Sequence, residues 1–494
     1  MSWGNDRDHR HSIGGRRFRG FRPRVMGAVS VRPRRAVVLG GGLSGMLVAS
    51  AVSGAAFDEV LLVERDRFPV GPEPRKGVPQ ARHAHNLVSG GARALESLLP
   101  GVLDRLQAEG AQRFVVPRDV ILLGTGGWVR RYDGTHFFVS CSRDLLDWVV
   151  RNHVLASGTV QVLEGTVVAG LSGSARRVTG VTVRDVDTGE ARELVADLVI
   201  DATGRGSQTS RWLQELLGLP RVREDVVRSG LRYATCLFSA PVGSGFPLIS
   251  IQSHPREQRC GRAGGVLMPI EGGRWLVTVW GSATEQPPQT LEEFVPFAQR
   301  LRDPVLADVL AGRTALTPVR RSDSTVNRRR RYEELPVWPE GLLVAGDALA
   351  AFNPVYGHGM SVAAQSALAL RRQLSAGTRE VGTTRTLQRM LCRVADGAWA
   401  MATGEDVLYP GVAGDRRTTA LARLRRRGVE RMSVVATSRP TVAEALFGAF
   451  TLEGAFSQLL SPRLLWDVLR GPAAPPLQGP PLTTRERQLA GLDR

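Results

Sequence analysis

The sequence predicts an α/β fold: a parallel-sheet domain that is discontinuous in sequence, a mostly antiparallel β domain inserted between its two parts, and a C-terminal helical region. Three observations predict it. "RAVVLGGGLSGMLVASAV" sets a run of β-prone apolar residues directly before three glycines and a small-residue helix. About 300 residues later, "GLLVAGDALAAFNPVYGHGMSVAAQSALAL" repeats the order strand, loop, helix. Between them, "LRYATCLFSAP", "FPLISIQSH", "GGVLMPI" and "GRWLVTVWG" alternate as strands with one wet face do. The divisions read as a basic arm over 1–34, the first part of the parallel-sheet domain over 35–210, and the β domain over 211–335. The parallel-sheet domain resumes over 336–384, and the helical region runs over 385–494 with the Pro-rich tail "RGPAAPPLQGPP".

A chain of 494 residues with 43% apolar content has enough material for a large core. The formal charge of +18 would point to nucleic acid if it were clustered. Lys76 is the only lysine, however, so the excess is almost all arginine and reads as codon bias. Much of it lies in the opening arm, which reads as disordered, or as an artefact of an early start codon with Met26 the true start. No nucleic-acid partner is expected. Cys141, Cys236, Cys260 and Cys392 fit no zinc or redox spacing, so no metal and a reducing, cytoplasmic location are expected.

The opening apolar stretch also resembles a secretory signal, but three consecutive glycines would ruin its helix. Gly40, Gly42 and Gly45 instead fill G-x-G-x-x-G. They supply a tight turn, a close backbone approach for a pyrophosphate, and close helix packing, with Leu43 and Ser44 at the helix start facing the phosphates. "EVLLVERD" adds a second buried strand ending at Glu64 and Arg65, where an acid can accept both ribose hydroxyls. An acid there suits FAD or NAD. This is a Rossmann-like unit. The second strand-loop-helix decides for FAD, because its longer half needs a carboxylate for ribityl hydroxyls and a helix N-terminus toward the flavin ring. Gly346 and Asp347 supply the first; Pro354, Gly357, His358, Gly359 and Met360 supply the second.

The pair GxGxxG…E and GD…PxxGxG resembles the flavoprotein monooxygenases of the p-hydroxybenzoate hydroxylase fold. That resemblance implies that Arg143 in "CSRDLLDWVV" reaches the cofactor. It also places Thr203 in "ADLVIDATGRGS" where the hydroxylases often carry an Asp tied to NADPH. NAD(P)H visiting transiently or a separate flavin reductase is therefore expected as electron source. "RKGVPQARHAH", "STVNRR" and "GDALAAFNPVYGHGM" together are similar to the FAD-dependent polyene epoxidases of polyether ionophore biosynthesis, of the monensin and lasalocid type.

That resemblance implies epoxidation of olefins in a linear polyene polyketide by molecular oxygen, through a flavin C4a-hydroperoxide. The protein then needs an apolar, water-excluding tunnel rather than catalytic carboxylates. In "RKGVPQARHAH", Arg75 and Lys76 are candidates for the cofactor. Gln80 and His83 bond flavin or substrate, or else cap and pack the loop. Phe238, Met268 and Trp280 are candidates for the tunnel lining, or for the core of the β domain. The arginine run in "STVNRRRRY" is either a docking face for an acyl carrier protein or a solvated charge run. The helices "ALFGAF" and "LLSPRLLW" cover the domain interface or touch membrane. An aromatic (phenolic) hydroxylase would share every FAD residue named here. A flavin halogenase would put Lys76 to use, but W-x-W-x-I-P is missing from the chain.

Overall fold

The computed structural model describes residues 33–241, 245–254, 262–282, 284–377, 382–406, 413–414, 420–454 and 456–493. The basic arm up to residue 32 and Cys260 lie outside them.

Five parallel strands form the cofactor-type sheet, in the order Leu342–Val344, Leu198–Asp201, Arg35–Leu39, Glu59–Val63, Val160–Leu163. Their Val, Leu and Ile side chains are almost all buried, as a sheet covered on both faces requires. The two distant strand-loop-helix units thus meet in one sheet. Leu39 pairs with both Asp201 and Val63, so the glycine turn, the Thr203 turn and Glu64 all leave the sheet at one edge. In such sheets ligands bind in the crevice beyond the carboxyl ends of the strands. Helices Leu43–Val52 and Gly359–Ser375 pack against each other on one face.

The second large sheet has seven strands in the order Arg320–Ser322, Arg232–Ser239, Arg274–Gly281, Gly264–Ile270, Leu248–Ile251, Val120–Gly124, Gly127–Trp128. The last two lie within the stretch 35–210, and Val120–Gly124 joins Leu248–Ile251 in parallel. The β domain therefore borrows an edge from the first part of the chain. The short hairpin they form gave no sign that it joins a strand more than a hundred residues on.

The C-terminal region is helical over Thr383–Asp406, Ala420–Ala436, Pro440–Phe450, Pro462–Arg470 and Thr484–Ala490. The Pro-rich tail is tied to the β domain. Arg130 donates to the Pro475 carbonyl at 2.9 Å, Arg131 pairs with Glu486 at 2.6 Å, and Ala490 is buried in the β-domain core. Among the described residues, no helix is long and apolar enough to cross a membrane.

Candidate functional site

One cavity of about 2310 Å³ runs from the carboxyl edge of the parallel sheet, past the seven-stranded sheet, to the C-terminal helices. At its first end the glycines act as the spacing required. Gly40 has φ +93°, and a Cβ on Gly45 would stand 1.7 Å from the Gly40 carbonyl oxygen, so helix and strand touch there. A Cβ on Gly42 would meet nothing within 4 Å, because that position faces the open cavity.

Glu64 stands at the cavity wall with its carboxylate fixed by two backbone donors, Gly41 N at 2.6 Å and Asp66 N at 2.9 Å. Arg75 Nη1 lies 3.7 Å from Glu64, and the Arg75 side chain is only 5% exposed. Its Nε and Nη1 are buried without a hydrogen bond, as is the Ser44 hydroxyl at the start of the first helix. Such orphaned donors are costly unless a ligand satisfies them. An arginine and a hydroxyl beside a helix N-terminus and a bare glycine turn fit a phosphate-bearing dinucleotide.

At the second end, Asp347 faces the cavity, and burial pushes its carboxyl above the usual carboxylate range. Arg205 Nε lies 3.5 Å away and opposes that shift, while its other nitrogens bond the Val326 and Phe352 carbonyls. Arg205 was not foreseen, since nothing in "ATGRGS" marks it. Gly346, Pro354, Gly357, Gly359 and Met360 line the cavity around this carboxylate, and Arg143 lies there with its Nε donating to Asp147 at 2.8 Å. Leu43 and Arg65 also line it. Thr203 also lines the cavity, with its hydroxyl and N–H both donating to the fully buried Asp201, at 2.6 and 2.8 Å.

Three candidates lie elsewhere. Lys76 is exposed and does not line the cavity, because the chain turns there on Gly77, whose N–H donates to Asp66 at 2.6 Å. Phe238 packs on Phe294 in the β-domain core, on the sheet face away from the cavity. Met268 is fully buried in a neighbouring apolar cluster. Of the three lining candidates only Trp280 reaches the cavity. The arginine run is used internally: Arg329 and Arg330 are buried and paired with Glu333, Asp396 and Glu224, and Arg331 pairs with Asp225.

Of the four histidines that line the cavity, burial lowers three, His83, His85 and His358, each to a pKa of about 4. Their tautomers follow from their partners. His85 Nδ1 lies 2.8 Å from the His83 carbonyl and His358 Nε2 lies 2.9 Å from the Phe450 carbonyl, so each of those nitrogens carries the hydrogen. His83 Nδ1 meets the Thr235 hydroxyl at 2.8 Å, which meets the Thr278 hydroxyl at 2.8 Å on the strand directly opposite. Thr278 accepts from Ala84 N at 3.1 Å. If Thr278 donates to Thr235, and Thr235 to His83, every hydroxyl hydrogen is used. The reverse order turns the Thr278 hydrogen, and not an Nε2–H of His83, toward the cavity that both residues line. In the first order His83 carries its hydrogen on Nε2, and Gln80 sits more exposed at the cavity rim beside it.

These shifts set an acid limit. The unfolded chain protonates each histidine near its ordinary value of 6.5 and the folded chain only near 4, so the unfolded state binds more protons between those values. Stability is full above pH 6.5 and falls toward pH 4, by up to about 3 kcal/mol per histidine. The melting midpoint followed from pH 7 to pH 4 checks this, and His83→Phe should flatten the slope.

A polar hub beside the cavity was invisible in the sequence. Asp406, with no exposed surface, accepts from Arg262, from Asn327 Nδ2 at 2.5 Å, from Asn353 Nδ2 at 3.3 Å and from Tyr356 OH at 2.9 Å. Asn353 passes the link to Tyr233, whose hydroxyl donates to Asn353 Oδ1 at 2.5 Å. Burial holds both phenols well above their ordinary range, so they remain donors.

A parallel-sheet dinucleotide cradle joined to a β domain over one cavity defines a dinucleotide-binding protein. A family described as "FAD binding domain" matches residues 34–403, and the chain belongs to it. Protein Rv3254 of Mycobacterium tuberculosis is 32% identical over 363 residues, which cover 71% of this chain and 75% of that protein. Three solved structures share the fold. PqsL, a probable FAD-dependent monooxygenase from Pseudomonas aeruginosa, matches with TM-score 0.55 and 17% identity over 76% of this chain and 96% of its own. OxyS, an anhydrotetracycline hydroxylase from Streptomyces rimosus, matches with TM-score 0.54 and 18% identity over 85% and 76%. The flavin-dependent brominase Bmp2 matches with TM-score 0.56 and 14% identity over 83% and 96%.

Proposed function

We propose that this chain is an FAD-dependent monooxygenase that epoxidises olefins of a long, linear polyene polyketide. The observation that carries the reading is the continuity of the cavity. Beyond the cradle it runs on between Val116, Val120, Leu122 and Phe138 on one side and Met432, Leu446, Phe447 and Leu459 on the other. An extended apolar chain fits that space better than one compact ring does.

Reduced and bound, FAD supplies an activated oxygen atom. The chain's own residues do the rest. Glu64, Ser44, Arg75 and Asp347 hold the cofactor by its ribose, phosphates and ribityl chain. The apolar walls hold an olefin in place and keep water out, and burial keeps His83, His85 and His358 neutral. A halogenating role like that of Bmp2 is disfavoured, because Lys76 points away from the cavity. A reductase or transient NAD(P)H supplies electrons, and delivery of the substrate by a carrier protein would use a surface other than the paired arginine run.

The test is aerobic turnover with FAD, NADPH, a flavin reductase and a linear polyene polyketide under heavy oxygen, read by mass spectrometry. One labelled oxygen per olefin, in products that hydrolyse to diols, supports the proposal. Peroxide release without substrate oxidation, together with hydroxylation of a phenol, favours the aromatic hydroxylase instead.

A further inference from the structure

We propose that His83 is a positioning and specificity residue: its Nε2–H binds an oxygen atom of the substrate, a ketone or hydroxyl, and so sets which olefin lies over the cofactor. The inference rests on the monooxygenase reading above and names the substrate feature that reading leaves open.

Three observations carry it. His83 lines the cavity where the loop before Asn86 meets the seven-stranded sheet, and it faces the Tyr233 ring at a centroid distance of 6.4 Å. Its ring is not free to turn, because Nδ1 is held by Thr235 and Thr235 in turn by Thr278. Its Nε2 is neither bonded nor sealed among the described residues, so it is open to the cavity. His85 and His358 cannot do the same, having spent their hydrogens on the His83 and Phe450 carbonyls. The phenols of Tyr233 and Tyr356 are committed to Asn353 and Asp406.

The surroundings make this donor selective. Val266 and Trp280 line the same part of the cavity, and the wall beyond is apolar. A hydrocarbon in this place would leave the Nε2–H without a partner in a dry site, whereas a ketone oxygen would satisfy it. The Thr278–Thr235–His83 chain fixes the ring in place before the substrate arrives, so no rotamer has to be selected on binding. An olefin at a set distance along the chain from that oxygen would then be the one presented to the cofactor.

Titration calorimetry of the FAD-loaded protein tests this without turnover. The probes are farnesylacetone, a linear triene ketone, and the hydrocarbon in which its carbonyl is replaced by methylene. The wild type should bind the ketone about tenfold more tightly than the hydrocarbon. His83→Phe should bind the two equally; His83→Gln, whose amide keeps an N–H, should restore part of the preference. Thr235→Val should reduce the preference while leaving hydrocarbon binding alone, an outcome that loss of packing would not give. Retention of the full preference in His83→Phe, or its absence in the wild type, overturns the proposal. Failure of the monooxygenase reading would show separately, as no incorporation of labelled oxygen into any ligand that binds. Should His83→Phe not fold, the Gln and Thr235 variants decide.

Discussion

Gly45→Ala is expected to abolish flavin retention, with FAD affinity lowered by two orders of magnitude or more. The added Cβ would stand 1.7 Å from the Gly40 carbonyl oxygen, and Gly40 itself would have its own Cβ 2.8 Å from the Ala202 carbonyl. Neither neighbour is a flexible side chain. Relief can come only by driving the first helix away from the strand, and that helix start is what presents Ser44 and its free N–H groups to the phosphates. Gly42→Ala is the control. Its Cβ would fold without a clash, so any loss of FAD there reports on the ligand's own approach to the backbone. Flavin absorbance per polypeptide after gel filtration, with the melting midpoint of each variant, separates the two effects.

The second large effect is at Asp406. Asp406→Ala should destabilise the protein by about 3–5 kcal/mol, because it leaves Arg262, 6% exposed, as a buried charge without its carboxylate. The same change frees Asn327, Asn353 and Tyr356 at once, so the loss will not equal the sum of three single hydrogen bonds. Asp406→Asn, which keeps the shape and loses the charge, should fall between. Since Asn353 and Tyr356 belong to the loop that lines the cavity before Gly359, FAD affinity should weaken alongside stability. Chemical denaturation followed by both tryptophan and flavin signals measures the two together.

What the sequence disclosed and what it hid divide along one physical line. Interactions between residues near in the chain leave a spacing, and those were legible: the glycine turn, Glu64 at the next strand end, and the Gly346–Gly359 turn all stand where their spacing puts them. Interactions that close over long separations leave none. Asp406 meets Asn353 across 53 residues and Arg262 across 144, and no local pattern distinguishes it from any helical Asp. Alternation along a strand shows that one face is buried but not against what. Phe238 and Met268 were therefore equally good candidates for a cavity wall, and each proved to be core. A run of arginines looks solvated until its partners, Glu224 and Asp225, are brought beside it by an antiparallel strand from a hundred residues earlier.

The far wall of the cavity belongs to Met432, Ala436, Leu446, Phe447, Leu459 and Val468, all beyond residue 403, where the family match ends. The machinery that holds the cofactor and the surface that meets the far end of a substrate are thus written in separate stretches of the gene. Side chains on the helices over 427–470 can be retuned one at a time without touching the glycine turn or Asp347, while the Phe450 carbonyl ties their backbone to His358. A lineage built this way can inherit its chemistry unchanged while its choice of substrate drifts.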